Sequence, residues 1–423
     1  MARSKKTSKA NEAFVSEMQA GYASKGPSLF LGCARLDDRI YPEARISIPL
    51  KTMNRHGLIA GATGTGKTKT LQCIVEGLVE AGVPVLCMDM KGDLSGLAMP
   101  GESNSHIEER HQKLGESWKA AGVSAEFLTL SAEPGVRLRG TVLEFGPVLF
   151  SRILGLNETQ GATVAIVFKY CDDHGLPLLD LKDVRAVLGY LTGEGKGTIE
   201  KEYGALHTAT AALILRKIVE LESQGANEFF GEISFEPEDM LSGKTKVHIL
   251  RLIDIQDRPR LFSTFMLGLL AEIYEKFPEV GDQEKPRLVL FIDEAHLIFN
   301  EATRELLERL EAIIKLIRSK GVGIFFCTQS PADIPEAILG QLGLKVQHAL
   351  RAFTARDRKA IKLAAENYPD SSYYDVSSLL TEMGIGEAFI TALNEKGIPT
   401  PLAYTYLRAP RSRMDILTPS ELS

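Results

Sequence analysis

The sequence predicts an α/β fold: a mostly parallel sheet carrying helices, a small β-hairpin in front and a mainly α-helical insertion in the middle. Three observations predict it. A glycine-rich loop, Gly61-Ala62-Thr63-Gly64-Thr65-Gly66-Lys67-Thr68, lies between an apolar run and a helix-period pattern. A second apolar run, Leu288 to Ile292, ends in Asp293-Glu294. Between residues 145 and 244 the strand-like runs give way to helical spacing.

The glycine-rich loop matches G-x-x-x-x-G-K-[ST] in full, the phosphate-binding pattern of P-loop proteins. Leu58-Ile59-Ala60 reads as a buried strand entering it. Beyond it Leu71, Ile74, Val75, Leu78 and Val79 recur at i, i+3, i+4, i+7 and i+8, one face of a helix that stops at Gly82. Backbone N–H groups and the positive end of that helix then face a β-phosphate. Gly64 and Gly66 permit turns and a close approach that a Cβ would hinder. Lys67 is expected on the β- and γ-phosphates and the Thr68 hydroxyl on Mg²⁺. The nucleotide site is therefore expected over Gly61, Ala62, Thr63, Gly64, Thr65, Gly66, Lys67, Thr68 and Lys69, with ATP and Mg²⁺ as cofactors.

Residues 1–27 are polar and begin basic (Arg3, Lys5, Lys6, Lys9), the composition of a frayed terminus rather than of a nucleic-acid arm. In residues 28–50, Leu29-Phe30-Leu31 and Ile46-Ser47-Ile48 flank a polar stretch with Pro42, which predicts a small β-hairpin laid against the core. Pro84 to Asp89 predicts a second buried strand, closing in Asp89-Met90-Lys91-Gly92-Asp93. Ligands bind at such strand ends on the carboxyl edge of a parallel sheet. Asp89 and Asp93 either lie near the metal and γ-phosphate or close a solvated turn. Residues 100–124 are charged and read as loop, and Phe127 to Leu130 as a third strand.

From 145 to 244 helical periodicity dominates: Phe150, Ile153 and Leu154; Val164, Ala165, Val167 and Phe168; Leu213, Ile214, Ile218 and Leu221. This predicts a helical insertion dividing a nucleotide-binding core into 51–144 and 245–408. Val247 to Leu252 resumes the sheet, and Leu261, Phe265, Leu269 and Ile273 mark one face of a following helix. The strand ending in Asp293-Glu294 has the Walker B pattern: Asp293 holds the Mg²⁺ shell, and Glu294 orients or deprotonates the attacking water. Leu306, Leu310, Ile313, Ile314 and Ile317 form the buried face of the next helix, before Arg318-Ser319-Lys320-Gly321. The strand Val322 to Cys327 closes in Thr328-Gln329-Ser330-Pro331, which sets Gln329 beside the γ-phosphate and the water. Val346 to Leu350 predicts a strand ending at Arg351. The stretch to Lys362 is basic (Arg351, Arg356, Arg358, Lys359, Lys362), either a solvated helix face or a nucleic-acid or subunit contact. Glu387 to Thr391 and Leu402 to Leu407 predict two last strands before a Pro/Arg-containing tail.

The 423 residues suffice for about two or three domains. A net charge of −6 excludes blanket affinity for nucleic acid, so any such contact is local or built by assembly. Cys33, Cys73, Cys87, Cys171 and Cys327 are scattered without C-x-x-C pairing, as buried reduced thiols rather than disulfides or metal ligands. No run of 18 apolar residues and no signal-peptide pattern is present, so a cytoplasmic protein off the membrane is expected.

Taken in order, six pieces resemble the HerA–FtsK superfamily of hexameric DNA motors, and most of all the bacterial HerA-like ATPases. They are Arg55-His56, the P-loop, Asp89-Met90-Lys91-Gly92-Asp93, Leu290 to Glu294, Arg318-x-x-Gly321-Val322 and Thr328-Gln329-Ser330-Pro331. The resemblance covers residues 28–100 and 245–410. It implies a RecA-like (ASCE) core assembled as a homohexameric ring, with ATP between subunits, DNA in the channel and a nuclease or other protein as partner. In such motors arginines of the neighbouring subunit complete the site. By position Arg55 and Arg318 are the candidates and Arg351 the third, since a guanidinium fork stabilises charge on the transferring phosphoryl group. A local salt bridge is the alternative for each. The arm 409–423 resembles family arms that reach an adjacent subunit, and the hairpin stands where archaeal relatives carry a larger barrel. Neither the membrane segments nor the DNA-reading domain of FtsK relatives is matched, and better-known members do not explain the helical insertion. Asp293-Glu294-Ala295-His296 also spells the signature of two-lobed helicases. Too little chain follows for a second lobe, and His296 is expected to open a loop.

Two functions stay open on this reading. One is an ATP-driven DNA translocase or helicase-like motor, whose turnover rises with DNA and falls with salt. The other is an ATP-dependent scaffold or switch holding a protein partner, which the acidic composition favours. A cassette transporter is excluded because Leu94-Ser95-Gly96-Leu97 departs from Leu-Ser-Gly-Gly-Gln at its fourth place. A small-molecule kinase would not need the water base Glu294.

Overall fold

The computed structural model describes residues 2–131, 133–233, 236–243, 247–256, 258–281, 283–299, 304–351 and 354–422. The side chains of Leu261, Leu306 and Arg356, which carried sequence expectations, lie outside the described residues, as do those before Ala10.

Helix α1 (Ala2–Gly21) leads into the hairpin β1 (Ser28–Leu36) and β2 (Arg39–Pro49). Next come β3 (Gly57–Ala60), α2 (Lys67–Glu80), β4 (Val85–Asp89), α3 (Ser105–Leu114), β5 (Ala125–Thr129) and β6 (Val136–Arg137). Helices α4 (Val142–Ile153), α5 (Glu158–Asp173), α6 (Leu181–Thr192), α7 (Lys196–Glu202), α8 (Thr208–Ser223) and the short α9 (Asp239–Ser242) follow. The chain then runs through β7 (Val247–Arg251), α10 (Pro259–Lys276), β8 (Leu288–Ile292), α11 (His296–Phe299), α12 (Arg304–Ile317), β9 (Val322–Thr328), α13 (Glu336–Leu339) and β10 (Leu344–Gln347). It ends with α14 (Ala355–Glu366), α15 (Val376–Glu382), β11 (Glu387–Thr391) and β12 (Ala403–Leu407).

The strands form one 12-stranded sheet in the order β2-β1-β12-β11-β10-β3-β9-β8-β4-β7-β5-β6. From β10 to β6 every pairing is parallel, and from β10 outward through β11, β12, β1 and β2 every pairing is antiparallel. The central strands are buried on both faces, so their alternate residues feed two cores. Leu288, Leu290 and Ile292 face one with α4 to α8, α10 and α12; Val289 and Phe291 face the other with α1, α2 and α14. Each fully buried side chain of this size contributes ~1.5–3 kcal/mol. Among the described residues no helix is long and apolar enough to cross a membrane.

Four elements differ from the sequence expectation. Residues 2–21 form a helix, not a frayed end: Phe14, Met18 and Tyr22, at i, i+4 and i+8, are 0%, 1% and 4% exposed. Phe14 packs edge-on against Tyr41 and Tyr373, and the Tyr22 hydroxyl donates to the Ile390 carbonyl at 2.8 Å. The hairpin is not laid against the core but continues its sheet, with Gly32 opposite Leu407. Residues 105–114 are helical, capped by the Asn104 side chain, which accepts from Ile107 N at 3.0 Å. His296 begins the short α11 rather than a loop. The helices after residue 141 share one apolar cluster with β8 and α10, so they cover a sheet face instead of closing a core of their own.

Candidate nucleotide site

Every functional side chain named from the sequence is placed by the end of a parallel strand. The P-loop follows β3, and α2 starts at Lys67 with Gly66 as N-cap at φ 108°. Gly64 is at φ 79°, also in the left-handed region that suits glycine. The loop is held open by its own backbone: Gly61 N–H donates to Thr328 O at 3.2 Å, Ala62 N–H to Ala349 O at 2.8 Å, and Gly386 N–H to Thr65 O at 3.2 Å. Lys67 Nζ donates to the Ala62 carbonyl at 3.2 Å. His348 lies beneath the loop, bonded through Nε2 to Thr70 Oγ1 at 2.9 Å, so close that a Cβ on Gly61 would sit 2.5 Å from its Cβ. Burial, aided by the Lys67 charge, pushes its pKa down to about 3 and keeps the ring neutral. Lys69 is exposed on the first turn of α2.

Three acids gather beside Thr68. Its hydroxyl donates to Asp93 Oδ2 at 3.1 Å. Asp89, ending β4, is fixed by the N–H groups of Gly92 at 2.7 Å and Leu94 at 3.1 Å. One carboxylate oxygen from each of Asp89, Asp93 and Asp293 lies within 4.8 Å of the others. The structure thus brings Asp89 and Asp93 together with Asp293 beside Thr68. Burial first, then the charge of Asp93, raises Asp89 to about 7 and Asp293 to about 6. Asp93 Oδ1 is buried without a hydrogen-bond partner. A cluster of hard oxygen donors next to a threonine hydroxyl fits Mg²⁺.

Glu294 follows Asp293 at φ 47°, a left-handed conformation rare for a residue with a Cβ. Its Oε1 accepts from Lys91 Nζ. Its Oε2 is buried and lies 3.2 Å from His296 Nδ1 without the alignment of a hydrogen bond. Gln329 and Arg351 are exposed and line an open cleft of about 500 Å³ with Ala62 and Thr63 of the P-loop.

Arg55 and Arg318 are elsewhere. Arg55 ends the turn before β3 and Arg318 opens the turn before β9, at the amino ends of two strands whose carboxyl ends carry the P-loop and Gln329. Arg55 lies against the Gly397 turn, where a Cβ would be 3.3 Å from its Nη1. The chain therefore brings Arg351 to its own P-loop and turns Arg55 and Arg318 away from it. The arm expected on a neighbour packs onto its own chain over residues 409–422. Glu76 is 1% exposed and collects Arg408 Nη1 at 2.9 Å, Arg411 N at 2.8 Å and Ser412 N at 2.9 Å. A buried carboxylate needs those donors, and they hold the arm in place.

Sequence reading missed Lys91 and His348. Lys91 stood in plain view within Asp-Met-Lys-Gly-Asp, but its partner Glu294 is 203 residues away. His348 follows a strand and carried no motif.

The family described as helicase HerA-like C-terminal matches residues 36–423, helical insertion and arm included. The DNA double-strand break repair helicase HerA of Sulfolobus acidocaldarius is 22% identical over 373 residues, covering 87% of this chain and 68% of that protein. The DNA import protein CedB of the same organism is 24% identical over 355 residues, covering 83% of this chain and 52% of its own length. Among solved structures, the bacterial conjugative coupling protein TrwBdeltaN70 superposes with a TM-score of 0.58 at 13% identity, covering 95% of this chain and 94% of that one. VirB4 of Thermoanaerobacter pseudethanolicus gives 0.58 at 17% identity, covering 92% and 98%. These likenesses share the fold, a P-loop core with a large, mostly parallel sheet. This chain belongs to the HerA-like helicase C-terminal family.

Proposed function

We propose that the chain is an ATP-driven DNA motor of the HerA type, a translocase or helicase working as a homohexameric ring with ATP between subunits. One observation carries the reading: the P-loop, Thr68, the acid trio and Glu294 converge on one sheet edge, while Arg55 and Arg318 stand at the other. A ring that sets one subunit's amino edge against its neighbour's carboxyl edge completes the site in trans. Among the described residues no carboxylate bridges Arg55 or Arg318, which leaves both guanidinium groups to meet a phosphate.

Each residue then has a task. Lys67 leaves the Ala62 carbonyl for the β- and γ-phosphates, and the P-loop N–H groups from Gly61 to Lys69 cradle the chain of phosphates. Thr68 and Asp293, together with Asp89 and Asp93, would hold the metal. Mg²⁺, when bound, neutralises charge building on the β- and γ-oxygens. Glu294 takes the proton of the attacking water, and Gln329 orients that water. Arg318 and Arg55 from the neighbour, with Arg351 in cis, stabilise the transferring phosphoryl group. DNA contacts are local, as the net charge of −6 requires, and a nuclease or other protein partner uses the motion in the cytoplasm.

The test is the rate of ATP hydrolysis with and without duplex and single-stranded DNA, beside the native mass. Hydrolysis stimulated by DNA, falling with salt, in a six-subunit particle is the expected result. Turnover indifferent to DNA would instead support a scaffold or switch that holds a protein partner.

A further inference from the structure

Lys91 has no part in the site as set out so far, yet it holds the residue on which hydrolysis depends. Its ammonium donates to Glu294 Oε1, one of the two oxygens that must receive the proton of the attacking water. The other, Oε2, is buried and faces His296 Nδ1 at 3.2 Å. A carboxylate occupied by an ammonium is a poorer base, because the lone pair that takes the proton is engaged. For Glu294 to work, this pair has to open.

The two partners differ in freedom. The Glu294 side chain is 7% exposed and its backbone is fixed at φ 47°, whereas 47% of the Lys91 side chain is exposed. Lys91 is therefore the member that moves. Its backbone rides on the turn between Asp89 and Asp93, where the N–H groups of Lys91, Gly92 and Leu94 donate to the Asp89 carboxylate and Asp93 accepts from Thr68 of the P-loop. A bound cation would draw the Thr68 hydroxyl away from Asp93 and so loosen that tie.

We propose that Lys91 is a positioning residue that latches Glu294 in the nucleotide-free chain and releases it when a nucleoside triphosphate with its divalent cation occupies the site. The proposal rests on ATP hydrolysis at this site. It makes Lys91 a brake on idle turnover.

Steady-state ATP hydrolysis by the full chain tests it, in Lys91→Met, Lys91→Gln and Lys91→Arg, with and without duplex DNA. Lys91→Met and Lys91→Gln are expected to lower KM for ATP at least about 3-fold, the factor by which an ion pair with one half-exposed member can oppose filling of the site. At saturating ATP kcat is expected to stay put, because a filled site has already opened the pair, so kcat/KM rises by the same factor. Lys91→Arg keeps the latch and the wild-type basal rate. The double variant Lys91→Met, Glu294→Gln is expected to be as inactive as Glu294→Gln alone. A KM that rises or does not change in both neutral variants overturns the latch, and a rise would make Lys91 a substrate ligand. A wild type that hydrolyses no ATP overturns the function beneath the proposal instead.

Discussion

At the scale of single residues, the acid trio is the least comfortable part of the molecule. Asp89 and Asp293 keep their protons more tightly in the fold than in the unfolded chain, at about 7 and about 6. By linkage, the stability this pair contributes is complete below about pH 4 and is lost as pH rises through those values. A divalent cation reverses the preference, because it favours the ionised carboxylates. The thermal midpoint of wild type should therefore rise on adding millimolar Mg²⁺ at pH 8 and barely move at pH 5. In Asp293→Asn the rise at pH 8 should shrink strongly. An equal rise at both pH values, or an equal rise in the variant, would remove the trio from metal binding. The sequence displayed these residues but not their meeting. Thr68 and Asp293 carry motif positions, whereas Asp89 and Asp93 are short of motif, and only the parallel pairing of β4 with β8 brings them together.

At the scale of elements, His56 shows how the sheet edge facing away from the P-loop is fixed. Its backbone is in the left-handed region at φ 59°. Its Nδ1 accepts from Ile324 N at 3.0 Å and its Nε2 donates to the Ile314 carbonyl at 2.7 Å, so one ring joins β3, β9 and α12. Burial pushes its pKa down to about 4, against the Ile314 bond and with the help of the nearby Arg318 charge. His56→Ala leaves two buried backbone groups without partners, a loss of about 2–4 kcal/mol in urea unfolding at pH 8. The depressed pKa adds a signature. His56 contributes stability present above about pH 6.5 and lost as pH falls towards about 4, so the gap between wild type and variant should narrow on acidification. A gap under about 0.5 kcal/mol at pH 8 would show that the ring joins nothing. Elements with strong patterns were legible: the central strands are unbroken apolar runs and α2 has a full helical stripe. Elements whose burial comes from distant partners were not. Helix α1 and the residue after it carry a three-residue stripe in a polar stretch, and α3 is polar over most of its length, so composition hid both. The pairing of β1 with β12 joins opposite ends of the chain, and no local pattern announces it.

At the scale of the whole molecule, the P-loop and the arginines Arg55 and Arg318 stand at opposite edges of the sheet. The P-loop and Glu294 follow the carboxyl ends of β3 and β8, while Arg318 precedes β9 at the far edge. Parallel pairing of β3 with β9 keeps those edges a strand length apart, so no side-chain rotation brings Arg318 to its own phosphates. If a neighbour's Arg318 serves each site, two crippled subunits should repair one another. Arg318→Ala subunits keep an intact P-loop, and Lys67→Ala subunits keep an intact arginine. Each alone should hydrolyse ATP far below wild type. With both in one ring at equal amounts and random order, about one interface in four pairs a sound P-loop with a sound arginine. ATPase activity should then recover towards about a quarter of the wild-type rate where interfaces act independently, and less where they act together. Coexpression ensures mixed rings, and native mass confirms their composition. Mixed rings that stay as inactive as either parent at every ratio would place Arg318 outside the trans site. Arg351, which already shares a cleft with Ala62 and Thr63, would then be the guanidinium that meets the phosphates.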